Sequence, residues 1–281
     1  WDLRLSADGA RAIYRAYDPA TGRTALNLVA TASPGTATPI LYADGAEGAV
    51  EAYQLTPDGS AVVFTGGNGF LETSLWIAPL APVADATRLV DGRNTVQYSW
   101  VEPDFVIGAG GARVYFRQRD TFNFSRLYRV AVAAPLATTP LSPDPTLAAD
   151  EVTDFTVTSD ERGLVYRAGA DGAEGGDVRP ETAGPPPATG FAPTLVHVDL
   201  SAAAYPRTVL SPAVDPAEEG IGTGYRFAGD GVRVLYRADH DQPTFSDAYL
   251  ASVATAGAPR KVSPPLDQTS DATDVSLITA Y

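Results

Sequence analysis

The stretch DGVRVLYRAD, residues 230–239, echoes another near the start of the chain, DGARAIYRAY, residues 8–17. In both, a turn-forming Asp-Gly leads into alternating side chains, and a Tyr-Arg pair follows at the same distance. Sliding this segment along the chain finds DGSAVVFTG from Asp58, GGARVYFRQ from Gly110 and DERGLVYRA from Asp160. The five starts (8, 58, 110, 160 and 230) are separated by 50, 52, 50 and 70 residues, with no gap inside the matched segment. The residue six places on is always aromatic: Tyr14, Phe64, Phe116, Tyr166 and Tyr236. A recurring period of this size marks a repeat architecture.

The residues before each turn align as well: DLRLSA, AYQLTP, DFVIGA, DFTVTS and GYRFAG. Their second and fourth places are apolar throughout, as in Leu3 and Leu5 or Tyr53 and Leu55. Period two means strand, so each repeat opens with a hairpin. A third strand follows (ALNLVA, SLWIAP, RLYRVAV, TLVHVDL, AYLASV), then a fourth (TPILY, ATRLV, TTPLS, RTVLS, PRKVS). No long helical period appears. Four short antiparallel strands per repeat cannot cover both their faces, so neighbouring sheets must stack. The prediction is an all-β fold, a β-propeller of four-stranded antiparallel blades in a single domain spanning 1–281. Five blades are complete, at about 1–42, 50–91, 98–143, 151–211 and 221–264. Residues 273–281, TDVSLITAY, repeat the first-strand pattern and are read as one strand of a sixth; the alternative is a strand that closes the ring by pairing elsewhere. The aromatic residue on each second strand is expected at the interface between sheets, where burial of its ring contributes about 1.5–3 kcal/mol.

The register that pairs Leu3 with Tyr14 also sets Asp2 against Arg15, Asp104 against Arg117 and Asp154 against Arg167. In the second repeat both partners are lost together, giving Ala52 and Thr65. In the fifth, Gly224 stands opposite Arg237. Joint presence and joint loss point to a cross-strand ion pair. The competing functional reading is a charged ring at a channel mouth, with Asp2, Asp104, Asp154, Asp274, Arg15, Arg117, Arg167 and Arg237 as candidate ligand-binding residues for a basic group or a cation.

Composition narrows the classes. The net charge of −14 opposes nucleic acid, whose phosphates require basic patches, and leaves basic partners open. No apolar run approaches the ~20 residues that span a bilayer, so membrane insertion is not expected. There is no Cys, which excludes disulfides, thiolate metal sites and Cys nucleophiles. The chain begins at Trp1 and holds no Met, as expected of a processed or trimmed product. The two histidines, His197 on a strand and His240 in a hairpin loop, show no metal-ligand spacing. No nucleophile elbow, P-loop or dinucleotide fingerprint occurs, and DHD at 239–241 has no surrounding ligand pattern. Neither cofactor nor catalytic residue is expected. Residues 169–193, rich in Gly, Ala, Pro and acidic side chains, stretch the link between Arg167 and Leu195 to 27 residues and read as a solvated insertion or a partner-binding arm.

The segments LSADGARAIY, LTPDGSAVVF and FAGDGVRVLY, with third strands such as RLYRV and fourth-strand endings at LS, resemble the TolB-like propeller repeat of bacteria, itself related in shape to WD repeats. Members of that class include periplasmic scaffolds that bind other envelope proteins and the propeller domains of peptidases of the prolyl oligopeptidase type. The resemblance implies a non-catalytic protein- or peptide-binding scaffold, periplasmic or extracellular in a bacterium, with further domains or chains possible beyond the termini. The alternatives are a propeller that gates or accompanies a hydrolase, and a structural module of a larger surface assembly. This sequence departs from the pattern at Gly110-Gly111 and at the longer SDERG turn.

Overall fold

The computed structural model describes residues 3–19, 22–33, 35–40, 49–67, 73–92, 100–119, 124–143, 151–169, 193–211, 221, 224–238, 247–254 and 258–263. The described residues form five four-stranded antiparallel sheets and no helix. The first sheet holds β1 (Leu3–Leu5), β2 (Arg11–Asp18), β3 (Arg23–Ala30) and β4 (Thr38–Pro39). The second holds β5 (Ala49–Leu55), β6 (Ala61–Gly67), β7 (Thr73–Pro79) and β8 (Thr87–Val90). The third holds β9 (Trp100–Ile107), β10 (Arg113–Arg119), β11 (Ser125–Ala131) and β12 (Ala134–Pro140). The fourth holds β13 (Val152–Val157), β14 (Gly163–Ala168), β15 (Thr194–Asp199) and β16 (Arg207–Val209). The fifth holds β17 (Arg226–Phe227), β18 (Arg233–Ala238), β19 (Asp247–Ser252) and β20 (Arg260–Lys261). In every sheet the spatial order follows the chain order, which makes each a β-meander, the blade of a propeller. The strand read at 273–281 and most of the insertion, 170–192, lie outside the described residues. By its contacts the chain divides into two units: Trp1–Ser142, with three blades, and Pro143–Tyr281, with two.

The hairpin turns show why Asp-Gly recurs. In blades one, two and four, the hydroxyls of Ser6, Thr56 and Thr158 donate to the carboxylates of Asp8, Asp58 and Asp160 at 2.6, 2.6 and 2.7 Å. The same carboxylates accept the backbone N–H of Ala10, Ser60 and Arg162. Side chains here replace the backbone partners that a tight turn leaves unsatisfied. The residue after Asp lies in the left-handed region: Gly9 at φ 66°, Gly59 at 69° and Gly231 at 67°. Glu161 takes this place in the fourth blade at φ 56°, a conformation costing an L side chain about 1–2 kcal/mol. The Thr56 and Ser60 hydrogen bonds hold the Asp58 carboxyl at about 2, well below the usual range.

Packing follows one rule inside each unit. Call the side of a blade that carries the second-strand aromatic its aromatic face, and the other its aliphatic face. Blade one lays Ile13, Leu26 and Leu28 on Tyr53, Phe64 and Trp76 of blade two. Blade two lays Val63, Leu75 and Leu89 on Phe105, Val114 and Phe116 of blade three. Blade four lays Val165, Leu195 and Leu210 on Tyr225, Tyr236 and Tyr249 of blade five. The aromatic faces are reinforced by cross-strand stacking: Phe116 on Tyr128 and Tyr236 on Tyr249, both with centroids 5.8 Å apart. Phe64, Phe116, Tyr166 and Tyr236 are all buried, whereas Tyr14 is only half-buried. On the aromatic face of blade one Leu3 and Leu5 are exposed, whereas blade four, also the first of its unit, keeps Tyr166 buried. In blade five, Lys261 of β20 pairs with the buried Asp247 of β19, which also accepts the Ser263 hydroxyl at 2.8 Å.

Candidate binding site: charged residues on the first strands

The first two strands of each blade pair in the register read from the sequence: Leu3 with Tyr14, Tyr53 with Phe64, Phe105 with Phe116 and Phe155 with Tyr166. Arg117 Nε meets Asp104 Oδ2 at 2.8 Å, and Arg167 Nε meets Asp154 Oδ2 at 3.2 Å. Asp2 and Asp274 lie outside the described residues. Gly224 offers Arg237 no carboxylate, yet Arg237 is engaged by another interaction.

These arginines also tie blades together. Arg15 donates to the carbonyl of Glu51 in the next blade, and Arg167 Nη1 donates to that of Ile221 at 3.1 Å. Arg167 is buried, so removing Asp154 alone would strand a cation in the interior, a change that costs about 3–5 kcal/mol. Tyrosines make a parallel link. Tyr53 donates to the Ile13 carbonyl at 3.1 Å and Tyr225 to the Val165 carbonyl at 3.5 Å, equivalent places in two blade pairs. Burial, with the Asp154 charge beside it, pushes the Tyr225 hydroxyl well above its ordinary range.

Before each of these pairs the first strand carries an irregularity. The residue eight places after the turn position (Gly66, Gln118, Ala168 or Ala238) pairs with Val50, Val101, Val152 or Ile221, all four buried. The register slips between that pair and the next, as at a β-bulge, a feature that re-aims side chains. Glu51 and Glu102 follow the paired valines directly, in neighbouring blades. Each accepts a hydroxyl from the start of its blade's third strand, Thr73 for Glu51 and Ser125 for Glu102, both at 3.3 Å. Arg119 Nε donates to Glu102 at 2.6 Å, and its Cζ lies 5.7 Å from the Trp100 ring centre. Burial raises the Glu51 pKa, the Thr73 hydroxyl opposes this, and the negative Glu102 nearby adds to the rise. Asp104 is also raised, first by loss of water around it and against the pull of Arg117, although 44% of its side chain is exposed.

The sequence reading named Asp104 and Arg117 but passed over Glu51, Glu102 and Arg119. A signal was available: VEAYQL and VEPDFV both set Val-Glu before the first-strand pattern. It was obscured because the bulges place the two glutamates at different distances from the turn. The arrangement offers carboxylates held by hydroxyls and guanidinium groups, suited to recognition through hydrogen bonds and charge. Among the described residues no three His, Asp or Glu side chains gather as a metal site. His197 is buried on β15, and burial lowers its pKa against the opposing charge of Asp199. His240 lies outside the described residues. No described helix is long and apolar enough to cross a membrane.

No protein-family model matches the chain, and the comparison with curated proteins finds no match. Solved structures do match. A eukaryotic initiation factor superposes with a TM-score of 0.57 at 10% identity, over 93% of this chain and 55% of that one. A prolyl endopeptidase superposes with a TM-score of 0.55 at 13% identity, over 95% of this chain and 36% of that one. TolB from Acinetobacter baumannii matches at 14% identity with a TM-score of 0.42, over 90% of this chain. This chain spans 51% of the length of that TolB. At these identities the likeness is one of fold, the β-propeller.

Proposed function

We propose that this chain is a non-catalytic scaffold that binds a protein or peptide, placed in the envelope or exterior of a bacterium. One observation carries the reading: the ionisable groups of the repeat are engaged with one another within and between blades, so the blades offer shaped, charged surfaces and no poised reactive group among the described residues. The placement outside the cytoplasm is supported by the TolB-like repeat segments. Among the described members of the acidic row, Asp104, with 44% of its side chain exposed, is more open to a partner's basic group than Asp154. Asp2 and Asp274 extend that row in the sequence. The test is an affinity pull-down from the envelope fraction of the source organism with the wild-type chain as bait. A defined protein partner that is lost in an Asp104→Ala variant supports the reading; recovery of glycans and no protein refutes it.

A second reading, a propeller that accompanies a peptidase, is favoured by the proportions of the prolyl endopeptidase match, nearly all of this chain against 36% of that one. A G-x-S-x-G segment encoded in the same gene beyond residue 281 would decide for it.

A further inference from the structure

Blade five is the last described sheet of its unit, yet both its faces are buried. Val234, Tyr236, Tyr249 and Ala251 face blade four. On the other side, the aliphatic face, Leu235 pairs with Leu250 and Arg237 with Ala248. Leu235 holds the place of Val63 in blade two, which is fully buried under blade three. Leu235 itself is only 6% exposed and Ala248 0%. A face open to water does not give such burial: on the aromatic face of blade one, Leu3 and Leu5 are exposed and even the central Tyr14 is only half-buried.

The sequence offers a cover at the right distance. Ile40, Leu141, Leu210 and Val262 donate their N–H to the third-strand carbonyls of Leu26, Leu127, Leu195 and Ala248, so they are equivalent places on four fourth strands. The next first-strand motif opens 12, 13 and 14 residues after the first three, at Ala52, Asp154 and Gly224. After Val262 the interval is 12, to Asp274 of DVSLIT. Within the units, the second and fourth residues of this motif pack on the preceding blade each time. Tyr53 and Leu55 lie on blade one, Phe105 and Ile107 on blade two, Tyr225 and Phe227 on blade four. In DVSLIT these places hold Val275 and Leu277.

Charge agrees with the match. Arg226 stands opposite Leu235 and Arg260 opposite Leu250, and Arg233 precedes Leu235 by two residues on β18, so three exposed arginines rim the aliphatic face. Residues 264–281 carry Asp267, Asp271 and Asp274 and neither Lys nor Arg. Opposite charge at a rim favours the correct seating over others.

We propose that residues 274–277 lie as a strand on the aliphatic face of blade five, with Val275 and Leu277 against Leu235 and Leu250. Arg237 then does for this strand what Arg15 and Arg167 do for theirs: it donates to a backbone carbonyl just ahead of the motif. Asp274 takes the place that Asp104 and Asp154 hold in their blades. The inference stands apart from the binding reading, since seating of the strand and capture of a partner are measured separately and neither result decides the other.

The test uses the full chain, which contains no Cys, so that introduced cysteines report alone. Leu235→Cys is treated with N-ethylmaleimide beside Leu3→Cys, the open reference. Leu235→Cys is expected to label at least about tenfold more slowly, and the further pair Val275→Asp and Leu277→Asp to remove most of that protection. Circular dichroism checks the fold. If the aspartates unfold the chain, crosslinking decides: a short bis-maleimide, able to bridge sheets about 10 Å apart, is expected to join Leu235→Cys to Leu277→Cys. It should not join Leu3→Cys to Leu277→Cys. Labelling of Leu235→Cys as fast as Leu3→Cys overturns the proposal, as does protection unchanged in a folded double-aspartate variant. So does a bridge formed to Leu3→Cys, or none formed to Leu235→Cys.

Discussion

Leu3 and Tyr53 hold the same place in their repeats, yet Leu3 is 58% exposed and Tyr53 4%. Tyr14 and Phe64 differ in the same direction. The two blades share a strand order, a turn and a register, and differ in what lies on their aromatic faces. Blade two has Ile13, Leu26 and Leu28 of blade one against it. Blade one has no counterpart in its own unit. The repeat therefore encodes a surface, and the neighbouring sheet supplies the burial. Each blade in isolation would keep its pattern and lose most of its hydrophobic stabilisation, which is how stacked repeats behave generally.

This comparison breaks most sharply by mutation on the aromatic faces. Phe64→Ala is expected to cost about 3–5 kcal/mol, the range for deleting a fully buried aromatic ring, whereas Tyr14→Ala should cost clearly less. Denaturant unfolding of both variants checks this, and equal losses would show that Tyr14 is covered in solution. The turns give a second pair. A Cβ on Gly59 would come within 2.7 Å of the Ala7 backbone nitrogen, while one on Gly9 would meet nothing. Gly59→Ala is thus expected to lower the melting temperature further than Gly9→Ala, which carries mainly the left-handed cost of about 1–2 kcal/mol. Conversely, Glu161→Gly should stabilise blade four by about 1 kcal/mol, because it removes that strain.

The smaller effects are electrostatic. Burial raises Glu51 in the folded state, so its charged form opposes folding, and stability falls as pH rises through its unfolded value near 4.5. Glu51→Gln should accordingly raise the melting temperature at pH 7 and leave it nearly unchanged at pH 3.5. Asp58 has the opposite sign. Its folded value of about 2 lies below the unfolded one, so its contribution is present above pH 4 and is lost as pH falls towards 2. Asp58→Asn should flatten the acid limb of the stability curve in that window.

The architecture was legible because the same spacing returns five times, and chance does not place an aromatic residue six positions after each turn. Strand order and register followed from period-two alternation and the short Asp-Gly turn, which leaves little room for another pairing. Exposure of Leu3 and Leu5 was not legible, because a strand's alternation says which face is apolar and not whether a sheet will lie on it. The cross-strand partners of Arg117 and Arg167 could be read from joint presence and loss. The reach of Arg15 and Arg167 to carbonyls of the following blade could not, since it depends on how two sheets stack. Glu51 and Glu102 escaped notice for a related reason: a bulge shifts a residue's count from the turn while keeping its place in the sheet.

Lys261 is the sole lysine of the sequence, and its ammonium group is held by a buried carboxylate and sits on the last strand of its sheet. Acylating reagents directed at amines therefore have a single side-chain target, an exposed one whose nitrogen is engaged by that carboxylate while the pair is intact. The rate at which that nitrogen becomes labelled, followed by mass spectrometry, reports how often the Lys261–Asp247 pair opens, without any probe being engineered into the chain.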